Sequence, residues 1–217
     1  SFEVERSDGF DGEIRVDVLD LPPGFTASTP IVVEAGHFMA WGVINAAADA
    51  VAPAAALAGS SRLVASALVG GREVRREIGG LGTIKLGKAP QVAVTILPDG
   101  ESGKPMAAGG RLMELTIAPG ETISARVLAH RKDFKGRIAL GKEDAGRNLP
   151  HGIYVDNIGL NGLLIVEEEI ERQFFITAAN WVPETTRLFH LVADADGKQA
   201  SQPVVLHVRR PGSPAAR

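Results

Sequence analysis

With 217 residues and no cysteine, the chain has no disulfide staple and no thiol for catalysis, redox chemistry or metal binding. A formal charge of −3, from 26 acidic and 23 basic side chains, argues against a nucleic-acid binder, which needs a concentrated basic face, and gives no reason to expect attraction to anionic membranes. Aromatic residues make up 5% against an apolar share of 45%, so the cores must be built from Val, Ile, Leu and Ala, as half-buried strands prefer.

Taken in order, the predicted elements are all strands. Phe2-Glu3-Val4-Glu5 and Glu13-Ile14-Arg15-Val16-Asp17-Val18 alternate apolar and polar residues, which puts one face on a core and the other in water. Residues 46–57 are rich in alanine and helical by propensity, but the segment reads as a strand end and a crossover loop holding at most one helical turn. Gly70-Gly71 marks a hairpin turn, and Gly79-Gly80-Leu81-Gly82 followed by Lys88-Ala89-Pro90 marks a domain boundary. Alternation returns at Gln91-Val92-Ala93-Val94-Thr95-Ile96 and at Thr122-Ile123-Ser124-Ala125-Arg126-Val127-Leu128. It returns again at Gln173-Phe174-Phe175-Ile176 and at Pro203-Val204-Val205-Leu206-His207-Val208. The turns Asp11-Gly12, Asp99-Gly100, Pro119-Gly120 and Asp196-Gly197 fall at spacings typical of a sandwich. No apolar run approaches the roughly 18 residues of a membrane span. No charged-then-apolar leader opens the sequence, so an export signal would have been removed or would lie outside it.

The chain also repeats itself. Arg6-Ser7-Asp8-Gly9-Phe10-Asp11-Gly12-Glu13-Ile14 and Leu21-Pro22-Pro23-Gly24-Phe25 return as Arg131-Lys132-Asp133-Phe134-Lys135-Gly136-Arg137-Ile138 and Leu149-Pro150-His151-Gly152-Ile153. Ile44-Asn45-Ala46-Ala47 answers Ile176-Thr177-Ala178-Ala179, and Arg62-Leu63-Val64 answers Arg187-Leu188-Phe189. So long a period means tandem copies of one small domain. The fold class expected is therefore all-β, as two tandem antiparallel β-sandwich domains. Residues 1–88 form the first, lacking its first strand; residues 89–210 form the second; residues 211–217 are a linker or tail. The first domain is either cut short or borrows its missing edge strand from elsewhere.

The pattern of Gly9-Phe10-Asp11-Gly12-Glu13-Ile14-Arg15-Val16 followed by Leu21-Pro22-Pro23-Gly24-Phe25 resembles Ig-like (fibronectin III-like) repeats of large exported bacterial proteins. The second copy departs in lacking a glycine before Phe134 and in placing His151 where a second proline is usual. The resemblance implies Ig-like sandwiches in a tandem array on an exported protein, and it carries no catalytic residue.

Candidate sites are few. Trp41, Trp181 and Tyr154 are the large aromatics that could stack on sugar rings, although one Trp per domain also suits a core or loop plug. Asp194 and Asp196, in Asp194-Ala195-Asp196-Gly197, look like a fragment of a Ca²⁺ loop, with hairpin chemistry as the plainer reading. Glu167-Glu168-Glu169 with Glu171 reads as a solvated hairpin tip. The five histidines form no metal pair at helical spacing, although His190 and His207 lie on neighbouring predicted strands. The loop 98–111 is the surface best placed for recognition. The expected function is non-enzymatic: a structural, adhesion or assembly module of an exported, cell-surface or periplasmic bacterial protein. Its partner would be another protein or neighbouring domains of the same polypeptide. The alternative is a carbohydrate-binding accessory domain attached to a secreted hydrolase. No cofactor beyond Ca²⁺ is expected, and neither nucleic acid nor membrane insertion.

Overall fold

The structure is a computed structural model that describes residues 1–99, 112–141, 145–156 and 162–212. The chain separates into two compact units, Ser1–Lys88 and Ala89–Arg217. It is all-β, with one four-residue helix among the described residues.

The first unit contains β1 (Phe2–Glu3), β2 (Ile14–Leu19), β3 (Phe25–Ala27), β4 (Ile31–Val33), β5 (Met39–Ala40), β6 (Ile44–Ala46), α1 (Ala55–Ala58), β7 (Arg62–Val69) and β8 (Arg72–Gly79). A sheet of order β4-β2-β7-β8 accompanies the pairs β3-β6 and β1-β5. Alternation along β2 directs Val16 and Val18 inward, where they meet Ile31, Val33, Ala40 and Leu63. Gly70 and Gly71 both take positive φ, 56° and 78°, as a two-residue hairpin turn between β7 and β8 demands. The alanine-rich stretch keeps only its one helical turn.

The second unit contains β9 (Val92–Pro98), β10 (Glu114–Ile117), β11 (Thr122–Arg131), β12 (Ile138–Leu140), β13 (Ile153–Asp156), β14 (Leu163–Ile165), β15 (Glu171–Ala178), β16 (Thr185–Phe189), β17 (Val192–Asp194), β18 (Lys198–Ala200) and β19 (Val204–Val208). One sheet runs β13-β15-β11-β9; β14-β12-β17-β18 and β10-β19-β16 are the others, with β10 parallel to β19. Phe174 and Phe189 are fully buried in a large aliphatic core, as the low aromatic content requires. Pro98 closes β9, an edge strand where a missing N–H is tolerated.

The acidic run is not a hairpin tip. β14 pairs with β12, whereas β15 pairs with β11 and β13, so Glu167–Glu169 lies on a crossover between two sheets. Flanking apolar stretches alone do not reveal which sheet each one joins.

The two units repeat one polar device that composition does not announce. In the first, Arg6 donates from Nη1 to Gly12 O (2.7 Å), from Nη2 to Glu34 O (2.7 Å) and from Nε to His37 O (2.9 Å). In the second, Arg131 donates from Nη1 to Gly136 O (2.6 Å), from Nη2 to Val166 O (2.8 Å) and from Nε to Glu169 O (3.2 Å). A planar guanidinium presents its donors in a rigid fork, so three carbonyls on two separate loops are held in one plane. The Arg6 side chain is only 7% exposed. In each case the two outer carbonyls also belong to one tight turn, closed by His37 N–H to Glu34 O and by Glu169 N–H to Val166 O. The neighbouring Phe-x-Gly has its own reason. A Cβ on Gly12 would lie 2.8 Å from the Phe10 ring, and one on Gly136 would lie 3.0 Å from the Phe134 ring.

The Leu-Pro-x-Gly segments also match in geometry. Gly24 and Gly152 take φ of 82° and 86°, and Phe25 and Ile153 donate back to Pro22 and Pro150. β3 then sets Phe25 opposite Ala46, as β13 sets Ile153 opposite Ala178. One sequence pairing shifts. Arg15 lies opposite Ser66 and Ala139 opposite Asp194, so with Ile14 matched to Ile138, Leu63 corresponds to Leu191. That is three residues from the Arg62-Leu63-Val64 match, because the crossover loops before these strands differ in length. An Arg-Leu pair alone cannot set a register.

Loss of the clamp should be felt in full. Charge-assisted hydrogen bonds contribute roughly 1.5–3 kcal/mol each and are not additive, so Arg131→Ala is expected to cost at least about 3 kcal/mol. Arg131→Lys, which lacks the fork, should cost roughly half as much. Urea unfolding followed through Trp181 in a Trp41→Phe background measures both, and unchanged midpoints would refute the clamp's role.

Candidate functional site

The most developed surface is the outward face of β13-β15-β11-β9 in the second unit. Alternation along β11 sends Ala125, Val127 and Ala129 into the core and leaves Ser124 and Arg126 on the other face. The ladder sets Ser124 opposite Phe175 and Arg126 opposite Gln173, and it sets Tyr154, Thr177 and Thr122 in one row across three strands. Thr177 and Thr122 join through their hydroxyls at 2.9 Å. Asp99, just beyond the end of β9, accepts from Ser124 Oγ and from Gln173 Nε2, each at 2.6 Å. Arg126 reaches both oxygens of Glu171, at 3.2 and 3.1 Å, and its Nε stands 3.8 Å from Asp99 Oδ1. The Arg126 and Asp99 side chains are 20% and 31% exposed, so the network is half-buried. Its chemistry is that of a preorganised polar surface.

Tyr154 borders this face and is 51% exposed. Trp181, 60% exposed, follows β15, and its ring lies 5.2 Å from that of His151 at an interplanar angle of 45°. Gly152 makes this possible, since a Cβ there would press on the indole and on Val182. Trp41 lies in the first unit just after β5, 36% exposed. Trp181 and Tyr154 thus belong to one unit and Trp41 to the other.

Asp194 and Asp196 lie on the β17–β18 hairpin. Asp194 is opposite Lys198, and Asp196 and Gly197 occupy the turn with φ of 49° and 76°. The Asp196 carboxylate accepts the Gln91 N–H at 2.6 Å, and its carbonyl accepts from Gln199 Nε2 at 2.7 Å. Among the described residues no three His, Asp or Glu side chains gather as metal ligands. His190 is buried and its backbone bridges to Arg147, whereas His207 on β19 contacts Thr186 Oγ1 and Glu114 Oε2, each at 3.1 Å. The β16–β19 ladder sets His207 opposite Thr186 and not beside His190. The loop 98–111 lies outside the described residues beyond Asp99.

Two exposed groups have shifted acidity. The Glu167 carboxylate accepts its own backbone N–H and the Arg137 guanidinium at 3.0 Å, and both hold it below the ordinary glutamate range. Arg62 lies between Asp20 at 2.6 Å and Glu77 at 3.2 Å, which raise its affinity for the proton, Asp20 the more strongly. Arg6, Arg131 and Arg126 are the residues that composition and motif reading missed. The recurrence of Arg at the head of both repeats was the available signal for the first two; Arg126 had none, because its partners are distant in sequence.

Two outcomes are expected. In a carbon-detected NMR titration Glu167 should ionise below the ordinary glutamate range, and Arg137→Ala should move it upward. Because its proton affinity is lower when folded, its contribution to stability is present above the unfolded value and fades as pH falls through the folded one. Gly152→Ala should displace the Trp181 ring and shift its fluorescence, at a cost of roughly 1–3 kcal/mol.

No family model matches the chain, and no curated protein matches it. Among solved structures it is similar to the fibronectin(III)-like modules of Clostridium thermocellum CbhA, with 13% identity over 99% of this chain and 86% of that chain and a TM-score of 0.27.

Proposed function

We propose that the chain is a non-enzymatic structural, adhesion or assembly module of an exported or cell-surface bacterial protein. In this reading residues 1–88 and 89–210 are tandem Ig-like domains and residues 211–217 a linker or tail. One observation carries it: Arg6 and Arg131 bind equivalent carbonyls in both units. A module repeated with its internal bracing intact suits a part whose task is to keep its shape and hold neighbours at a distance. Its partners would be other proteins or adjoining domains, reached through surface loops. No helix among the described residues is long and apolar enough to cross a membrane.

A second reading, a carbohydrate-binding accessory domain of a secreted hydrolase, is favoured by the exposed Trp181 and Tyr154. Exposed rings stack on sugar faces, and the Asp99–Arg126 network supplies hydroxyl partners.

Single-molecule stretching tests the first reading and polysaccharide titration the second. The structural reading predicts all-or-none unfolding with a length gain of roughly 40 nm for the second domain, at about 3.5 Å per extended residue. Gradual extension without a step would contradict it. The second reading predicts saturable quenching of Trp181 by a soluble polysaccharide, lost in Trp181→Ala.

A further inference from the structure

The second unit carries three aromatic rings at positions where the first has none, on a turn that closes equally well without them. In the first unit Ala47 N–H donates to Gly24 O and Ala50 N–H to Ala47 O. In the second, Ala179 N–H donates to Gly152 O and Val182 N–H to Ala179 O. These bonds make Asp49 the counterpart of Trp181 and Pro23 the counterpart of His151. The ladders make Thr26, opposite Asn45, the counterpart of Tyr154, opposite Thr177. Neither turn nor ladder needs an aromatic residue at these places.

Nor do the rings stabilise the core from where they stand. Trp181 and Tyr154 are each more than half exposed, and an aromatic side chain contributes to stability mainly through the area it buries. The indole is nonetheless held in place, beside His151 and over Gly152, so little of its freedom remains to be lost on binding. Tyr154 stands two strand residues beyond Gly152, roughly 7 Å along β13, so the two rings together span more than one sugar residue. Hydroxyls lie next to them: Thr177 and Thr122 share the row of Tyr154, Ser124 is in the next row and Gln173 in the one after. Arg126, the cation that β11 places on this face, is turned to Glu171 and stands near Asp99. An anionic ligand would have to compete with those carboxylates, whereas a neutral one with C–H faces and hydroxyl edges meets rings and hydroxyls directly.

We propose that Trp181 and Tyr154 form a subsite, confined to the second unit, for a neutral pyranose chain of the gluco or xylo type, with Thr177 and Thr122 as its hydroxyl partners. Equatorial hydroxyls leave both faces of such a sugar lined with C–H, the surface on which an indole or phenol stacks. The subsite rests on the carbohydrate-binding reading and narrows it to one unit and one class of sugar.

The test titrates the whole 217-residue chain, ¹⁵N-labelled, with cellohexaose, with xylohexaose and with the anionic chain polygalacturonate. A neutral oligosaccharide should shift the amides of Tyr154 and Thr177 saturably, and polygalacturonate should leave them in place. Trp181→Asp and Tyr154→Thr, which install the residues of the first unit, should each weaken binding by about tenfold or more, and Thr177→Val by about threefold or more. The Ala179 and Val182 amides report whether the turn survives in Trp181→Asp, and Tyr154→Thr, which lies outside that turn, decides the matter if it does not. Binding of polygalacturonate but of neither neutral chain would overturn the neutral subsite and leave the broader carbohydrate reading standing. Absence of binding across a glycan array would overturn both and leave the rings to a protein partner. Neutral binding that survives both ring changes, or that moves amides of the first unit alone, would overturn the assignment to Trp181 and Tyr154.

Discussion

One guanidinium, bound to three carbonyls, braces each half of this molecule. Charge removed from water is costly unless its donors are met, and Arg6 meets that demand through three backbone oxygens, with the Asp11 carboxylate farther off at 3.9 Å from Nε. The geometry has a further effect. Gly12 follows the arginine by a few residues, while Glu34 and His37 belong to a turn far along the chain, so one side chain ties a local loop to a distant one. Arg131 does the same for Gly136, Val166 and Glu169. The acidic run Glu167–Glu169 finds its meaning here, as the solvated outside of a turn whose carbonyls face inward.

Much of the fold was legible because strands announce themselves by alternation. β2, β9, β11 and β19 fall close to where apolar and polar residues take turns, and Gly70-Gly71 and Asp196-Gly197 fall in hairpin turns with the positive φ such turns need. The Leu-Pro-x-Gly and Ile-x-Ala-Ala pairs of the repeat survive as matched ladders. Three-dimensional pairing was less legible. Whether Leu163–Ile165 and Glu171–Ala178 form a hairpin or belong to separate sheets depends on distant partners, and the shift between Leu63 and Leu191 depends on loop length.

The site was less legible still. Trp41, Trp181 and Tyr154 were named for their chemistry, and the structure leaves all three partly or largely exposed, with only Trp181 and Tyr154 in the same unit. Trp181 owes its position to the absent side chain of Gly152. Asp196 is engaged in holding Gln91 at the start of β9. The network of Asp99, Ser124, Arg126, Glu171 and Gln173 is assembled from two strands and the residue that follows a third, and no short motif encodes it.

The most direct measurement of the bracing claim is native-state amide exchange on the Arg6→Ala and Arg131→Ala chains, read residue by residue. Arg6→Ala should free the His37 amide and leave Glu169 protected, and Arg131→Ala should do the reverse, each confined to its own unit. Protection at His37 and Glu169 that survives removal of the guanidinium would contradict the account, as would equal loss across both units from either change.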